Sequence, residues 1–369
     1  MRQRRILVLT GSRAEYGLLR SVLEELETEP EVTLLLAVAG SHLVGHKPTV
    51  EEIRQERSID VTIPMQVQGA CTREEDAYAV ARGIEGCTRA FKELEIDLLL
   101  ILGDRIEVFA AATAASLCGI HIAHIHGGDV AAGVCDDSLR HAISKLAHLH
   151  FPATAESARR IRQMGESEES IQTVGSPAVD GLYAIEPLEE TRWRDMGNPR
   201  FAVLLHPTGE CDSIEQERAS TLIEIVSGQG ETVLFEPNLD PGRMGILEAM
   251  TRSGLEVVDH LDRRSFVGLL RRLDALVGNS SAGLLECAPL GVPAVDVGPR
   301  QAGRELPVNA VHVDSFTGPE LEAALEEALS QRCGVIDERF GDGKAGARIA
   351  RHLATVDLSK IPVQKRWKD

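Results

Sequence analysis

Short apolar runs alternate with longer amphipathic stretches along this chain, and the alternation predicts its elements. In the first half, Ile6–Thr10, Val32–Val38, Asp97–Leu102 and His121–Ile125 are β-branched or leucine-rich runs that read as strands. Ala14–Leu26, Glu75–Leu94 and Glu107–Leu117 carry apolar positions at helical spacing. Continuous apolar strands separated by helices predict a parallel sheet covered on both faces. The pattern lapses from Gly181 to Pro199, where Pro187, Gly197, Pro199 and the charged run Glu189–Asp195 predict a linker. It then restarts, with strands at Phe201–Leu205, Thr232–Phe235, Leu255–Val258, Leu273–Val277 and Ala294–Val297. Helices are expected at Ile214–Val226, Gly245–Thr251, Arg264–Arg271 and Ala282–Leu290.

A chain of 369 residues is too long for one comfortable core. The two successive series therefore predict an α/β protein of two Rossmann-like, doubly wound domains facing a cleft. The first is expected over residues 1–185 and the second over 186–344. A last helix, Ala345–Ala354 within 345–369, is expected to pack back on the first domain.

Composition narrows the function classes. The apolar fraction of 43% and charged fraction of 26% suit a soluble globular protein. With 39 basic against 57 acidic residues the net charge is −18, a field that repels nucleic acid. A small anionic ligand is still compatible, because backbone amides and a few arginines hold it locally. The seven cysteines are scattered, odd in number and without zinc-ligand spacing, which suits free thiols in a reducing cytoplasm. The basic N-terminus leads into an apolar run of only Ile6–Leu9, too short for a signal peptide, and no stretch approaches a membrane span.

Candidate chemistry gathers where strands end. The segment Gly127–His150 packs glycines, acids and histidines behind the strand His121–Ile125, and acids with imidazoles at a sheet mouth can move protons. A helix from Asp137 to His148 is expected there, with Asp136 or Asp137 as its N-cap. Thr10-Gly11-Ser12-Arg13-Ala14 links the first strand to the first helix and offers amide N–H groups and a guanidinium to an anion. The same turn also reads as a plain loop with a surface arginine. Gly278-Asn279-Ser280-Ser281-Ala282-Gly283 is the corresponding turn of the second half, either a diphosphate cradle or a serine-capped helix start. Glu286 on the following helix is placed to accept from a ribose diol, or is simply solvated. Asp104 and His206 each end a strand, at the edge where ligands bind such sheets. Arg300 and Arg304 lie in a loop after a strand, facing an anion or solvent. Spacing leaves open which of Asp104 and Asp136 is acid and which is base.

These motifs together resemble the hydrolysing UDP-N-acetylglucosamine 2-epimerases. The matching segments are TGSRAEYG (Thr10–Gly17), LGDRIE (Leu102–Glu107), AHIHGGD (Ala123–Asp129) and DDSLRHAISKLAHLHF (Asp136–Phe151). GSPAVD (Gly175–Asp180), GNSSAGLLE (Gly278–Glu286) and RQAGRE (Arg300–Glu305) complete the set, in order along nearly the whole chain. The resemblance implies a glycosyltransferase-B-like fold and a UDP-sugar substrate, with no redox cofactor and no metal. It implies elimination of UDP across C1–C2 to 2-acetamidoglucal, then addition of water to give N-acetylmannosamine with C2 inverted. By position, Arg13, Ser280, Ser281, Gly283, Glu286 and Arg304 resemble the nucleotide-binding residues, with Glu286 on the ribose. Asp104 and Asp136 resemble the catalytic acids, and His206 the catalytic or phosphate-facing histidine. His126 stands where some members have glutamate, and Asp129 is a neighbouring carboxylate available in its place. The turn before Asp136 is one residue longer than in those members. Other relatives act on a UDP- or GDP-linked diacetamido-trideoxy sugar. Competing readings are a non-hydrolysing 2-epimerase, a non-catalytic nucleotide-sugar sensor and a glycosyltransferase. The expected partners are the UDP-sugar and further copies of the chain, as dimer or tetramer, with no nucleic acid and no membrane.

Overall fold

The computed structural model describes every residue except 1, 46–47, 70–71, 131–135, 239, 260, 331–335 and 366–369, and describes residue 136 by its backbone alone. The chain divides into two compact units. One comprises Met1–Asp129, Cys135–Asp180 and Gly341–Asp369, the other Val130–Val134 and Gly181–Phe340.

In the first unit the strands are β1 (Arg4–Thr10), β2 (Val32–Ala39), β3 (Val61–Ile63), β4 (Leu98–Leu102), β5 (His121–Ile125) and β6 (Leu149–Phe151). They form one sheet in the order β3-β2-β1-β4-β5-β6, with every pairing parallel. The helices are α1 (Arg13–Thr28), α2 (Val50–Glu56), α3 (Arg73–Leu94), α4 (Ile106–Cys118), α5 (Asp136–Leu146) and α6 (Ala155–Gln163). Strand alternation splits the core: Ile6 and Val8 join one apolar cluster with α1, while Leu7 and Leu9 join another with α3 and α4. Order 3-2-1-4-5-6 reverses direction between β1 and β4, and the carboxyl ends of those strands are where such sheets bind ligands.

The second unit repeats this plan. It contains α7 (Glu190–Asp195), β7 (Phe201–Leu204), α8 (Asp212–Gln229), β8 (Thr232–Phe235), α9 (Arg243–Ser253), β9 (Val257–Val258) and α10 (Arg263–Leu270). After these come β10 (Ala275–Gly278), α11 (Ala282–Leu285), α12 (Cys287–Leu290), β11 (Ala294–Val297), β12 (Ala310–Val313) and α13 (Gly318–Ser330). Read from β9, the strand order is β9-β8-β7-β10-β11-β12, again all parallel, so the reversal falls between β7 and β10. The chain is thus α/β with two Rossmann-type sheets. Among the described residues no helix is long and apolar enough to cross a membrane.

The last helix, α14 (Ala345–Thr355), belongs to the first unit. Ile349, Ala350 and Leu353 enter the same apolar cluster as α1. The Asp180 carboxylate accepts from the backbone N–H groups of Ala345 (2.9 Å) and Gly346 (2.6 Å), satisfying donors that every helix start leaves open. The Arg4 guanidinium donates to the Leu353 and Val356 carbonyls at the other end of the helix.

Several expectations are corrected. The segment read as a linker holds α7, where the indole of Trp193 lies under Arg272 and its Nε1 donates to the Pro199 carbonyl. The single helix expected over Ala282–Leu290 is two four-residue helices that break at Glu286. The helix expected to reach His148 ends at Leu146, and β6 follows it. Asp136 and Asp137 lie inside the first turn of α5 and not at its cap, and the residue before them is outside the described set.

Candidate active site

In the first unit the sequence-predicted residues Arg13, Asp104, and His126 with Asp129 follow the carboxyl ends of β1, β4 and β5 respectively. Ser12 caps α1, its Oγ accepting from the Glu15 N–H at 3.4 Å, and so puts Arg13 on the first helical turn, exposed. Asp104 follows β4, and its carboxylate pairs with the Arg140 guanidinium from α5. Arg140 is 4% exposed. It also donates to the Asp129 carbonyl at 3.0 Å and lies 3.5 Å from the Asp137 carboxylate. A buried guanidinium in a fixed fork can hold a carboxylate in one orientation. Sequence reasoning singled out Asp104 and gave Arg140 no role. The Asp136 carboxyl, the other expected catalytic acid, lies outside the described residues.

His126, at the place where some members have glutamate, and its neighbour Asp129 belong to one polar network. His126 has φ +63°, a left-handed backbone rare outside glycine, and its ring is buried. Its Nδ1 lies 3.0 Å from Asp129 Oδ2, and its Nε2 2.9 Å from Ser176 Oγ. Asp129 Oδ1 accepts from Ser157 Oγ at 2.6 Å. Both ring nitrogens and both carboxylate oxygens thus have protein partners, the pattern of a buried structural network.

Three other histidines of this region, His124, His148 and His150, are buried. His124 Nε2–H donates to the Gly103 carbonyl at 2.7 Å, and burial lowers its imidazole to about 3, so it is neutral. That bond fixes the residue before Asp104. His148 and His150 were expected among proton carriers at the sheet mouth. His148 instead precedes β6 at its amino end, its Nδ1 accepting from the Ile122 N–H at 3.1 Å. His150 is fully buried within β6 against Glu166 at 3.2 Å. Burial lowers both imidazoles.

Sequence reasoning also missed a polar cluster under the β1 turn. His42, fully buried, meets Thr10 Oγ1 at 3.0 Å and Thr49 Oγ1 at 2.6 Å. Burial, then the charge of Arg105, lowers it to about 4. Glu15 is buried below the same turn, and desolvation followed by the nearby Glu107 pushes its carboxyl well above the usual range. The signal for Glu107 was available: it is the one acid in the otherwise apolar helix IEVFAAATAASLC.

In the second unit the turn after β10 and the end of β7 form one corner. Gly278 has φ +147°, and a Cβ there would come within 2.1 Å of the Leu204 carbonyl oxygen, so only glycine lets the two strand ends approach. Asn279 is fully buried. Its Oδ1 accepts from the His206 N–H at 2.7 Å and its Nδ2 donates to the His206 carbonyl at 2.8 Å. Its own carbonyl accepts from Arg300 at 3.2 Å and Gln301 at 2.9 Å. His206 is buried, and desolvation lowers its imidazole to about 3, with Arg300 adding to the shift. The Nδ1 accepts from the Asn238 N–H at 3.2 Å, so the proton sits on Nε2. His206 is therefore a neutral hydrogen-bond donor.

Ser280 and Ser281 are half-buried in the turn, and Ser280 Oγ accepts weakly from the Ala282 N–H at 3.4 Å. Ser280 and Gly283 line a small cleft with Leu204, Leu276, Gly278 and Asp296. Arg300 and Arg304 lie close enough to Asp296 to act on its charge. The Arg304 Nε is buried and has no hydrogen-bond partner among the described residues. Glu286 sits at the break between α11 and α12, half-buried. Ser280 and the Asp296 carboxyl line the cleft, and Arg300 and Arg304 bring positive charge to Asp296. Among the described residues no group of His, Cys, Asp and Glu is arranged to hold a metal ion.

The comparisons with known proteins agree with this architecture. A hydrolysing UDP-N,N'-diacetylbacillosamine 2-epimerase from Legionella pneumophila is 35% identical, over 96% of this chain and 97% of its own. A UDP-N-acetylglucosamine 2-epimerase from Neisseria meningitidis is 30% identical, over 99% of each. The fold matches the crystal structure of UDP-GlcNAc 2-epimerase from Neisseria meningitidis bound to UDP-GlcNAc with a TM-score of 0.80 at 16% identity, over 95% of this chain and 99% of that one. The family model for UDP-N-acetylglucosamine 2-epimerase matches residues 24–354. The chain belongs to the UDP-N-acetylglucosamine 2-epimerase family.

Proposed function

We propose that the protein is a hydrolysing 2-epimerase of a UDP-linked 2-acetamido sugar. The observation that carries this reading is the Asp104–Arg140 pair at the end of β4, a carboxylate held in orientation at the edge where such sheets do chemistry. In this reading Ser280, Ser281, Gly283 and Arg304 hold the diphosphate, Glu286 accepts from the ribose, and Arg13 is a further nucleotide-binding residue. Neutral His206 donates through Nε2 to a phosphate oxygen. One carboxylate of the pair Asp104 and Asp136 takes the proton from C2 while the C1–O bond breaks and its electrons leave with UDP. Water then adds at C1, and a proton returns to C2 from the opposite face. Net, the UDP-sugar and one water become UDP and the C2-epimeric free sugar. His126 and Asp129 orient this edge through Ser176, Ser157 and Arg140 and exchange no proton with the sugar.

The sugar we favour is the 2,4-diacetamido-2,4,6-trideoxy hexose named for the Legionella relative, because that match is 35% identical over nearly both whole chains. UDP-N-acetylglucosamine is the second reading, supported by the Neisseria relative at 30%. The test is a panel of UDP- and GDP-linked 2-acetamido sugars, with nucleotide release followed over time and the freed sugar identified by NMR. Free UDP accumulating with a C2-inverted sugar, at least about tenfold faster from the diacetamido substrate, is the expected result. A stable mixture of two UDP-sugars contradicts hydrolysis, and tight UDP binding without turnover favours a sensor.

A further inference from the structure

Asp296 is the acid that lines the cleft beside Ser280 and Gly283, and nothing above gives it a task. It lies in β11 with Gly278 of β10 as its neighbour on one side and His312 of β12 on the other. Its side chain is only 5% exposed. The Oδ2 lies 2.8 Å from His312 Nδ1, and His312 Nε2 lies 3.0 Å from Oδ1 of the exposed Asp314. A carboxylate only accepts, so His312 Nδ1 carries the hydrogen in the first of these bonds. Burial works against charge on His312, but its bonds to Asp314 and Asp296 outweigh that and raise the imidazole. One oxygen of Asp296 is therefore held from the neighbouring strand.

The other oxygen is not. Asp296 Oδ1 is buried and has no hydrogen-bond partner among the described residues. Arg304 Nε, in the loop after β11, is in the same condition, and the Arg304 charge acts on Asp296. Arg300 acts on it too, but its guanidinium donates to the Asn279 carbonyl at 3.2 Å. A buried carboxylate beside an anion's cradle opposes binding unless a cation stands between the two charges. A guanidinium suits that place, because its planar fork offers donors on two edges.

We infer that Asp296 is a positioning residue for Arg304. With nucleotide bound, Arg304 Nε–H donates to Asp296 Oδ1 while the far edge of the guanidinium donates to the diphosphate. His312 holds Asp296 for this task. The inference rests on the reading of the second-unit turn as a nucleotide site, and every residue in it belongs to that unit.

The test compares affinities for UDP and for uridine, which carries no phosphate. Wild-type protein, Asp296→Asn, Arg304→Gln, their double variant, His312→Asn and His312→Ala are measured. Removing a negative charge near an anion by itself tightens binding, so the sign of the Asp296→Asn effect is decisive. Asp296→Asn and Arg304→Gln are each expected to weaken UDP at least about fivefold and uridine less than about twofold. The double variant is expected to bind UDP no more weakly than Arg304→Gln. His312→Asn keeps a donor near the place of Nδ1 and should stay within about twofold of wild type, whereas His312→Ala should weaken UDP at least about threefold. Unchanged or tighter UDP binding in Asp296→Asn, equal loss for uridine, multiplying losses in the double variant, or no rescue by His312→Asn overturns the inference. Thermal midpoints identify a variant that has not folded, and if Asp296→Asn is one, the two His312 variants decide. Wild-type protein that binds no UDP overturns the nucleotide reading, whereas a wild type that binds UDP no better than Asp296→Asn overturns this inference alone.

Discussion

Asn279 holds His206 by both sides of its backbone, accepting from its N–H at 2.7 Å and donating to its carbonyl at 2.8 Å. The ring is fixed separately, Nδ1 accepting from the Asn238 N–H. With its imidazole at about 3, His206 stays neutral throughout the range from pH 5 to 8. An NMR titration of the His206 ring should show no protonation step above pH 5. A step near the ordinary value of about 6.5 contradicts the donor assignment. His206→Gln, which keeps an N–H donor, should retain more kcat than His206→Ala.

Replacing Asn279 tests the clasp itself. Asn279→Ala leaves a buried N–H and a buried carbonyl of His206 unpaired, while the Asn279 carbonyl that Arg300 and Gln301 bind is kept. Loss of such bonds costs about 2–4 kcal/mol. The thermal midpoint should fall by several degrees and UDP affinity should weaken about tenfold. Unchanged UDP affinity in a folded variant separates the clasp from nucleotide binding.

The Asp104–Arg140 pair predicts a split between rate and affinity. Asp104→Asn should lose turnover and still bind UDP. Arg140→Lys keeps a charge but cannot reach Asp104, the Asp129 carbonyl and Asp137 together. Its kcat should fall at least about tenfold with UDP affinity little changed. Near-normal kcat in either variant removes the pair from the mechanism.

Buried neutral histidines set the acid limit of stability. His124 titrates at about 3 and His42 at about 4 in the folded protein, both below the unfolded value of about 6.5. The unfolded chain therefore binds more protons below pH 6.5, so stability is complete above that pH and declines as pH falls toward 4. Thermal midpoints should fall across that window. His124→Gln should flatten the decline, and a midpoint independent of pH from 6.5 to 4 contradicts the burial argument.

The doubly wound plan was legible because β1, β4 and β7 are unbroken apolar runs between helices, which only a sheet covered on both faces explains. The strands β3, β6 and β12 escaped notice. They are three or four residues long at or near sheet edges, too short to show a period. α7 was hidden by its flanking prolines and glycine, since nothing local reports that Trp193 packs under Arg272. Candidate residues at strand ends were readable from position alone. The connectors were not: Glu107 binds Gln66 and Ser41, and Arg140 binds Asp104, partners far apart in sequence that only the fold brings together.

Residues 181–340 are spliced into the sequence of the first unit, whose core is completed by α14 only after they have been made. During synthesis the second unit can therefore mature while the first still waits for Ile349 and Leu353. The helix α1, made long before, lacks part of its apolar cover until that late helix leaves the ribosome.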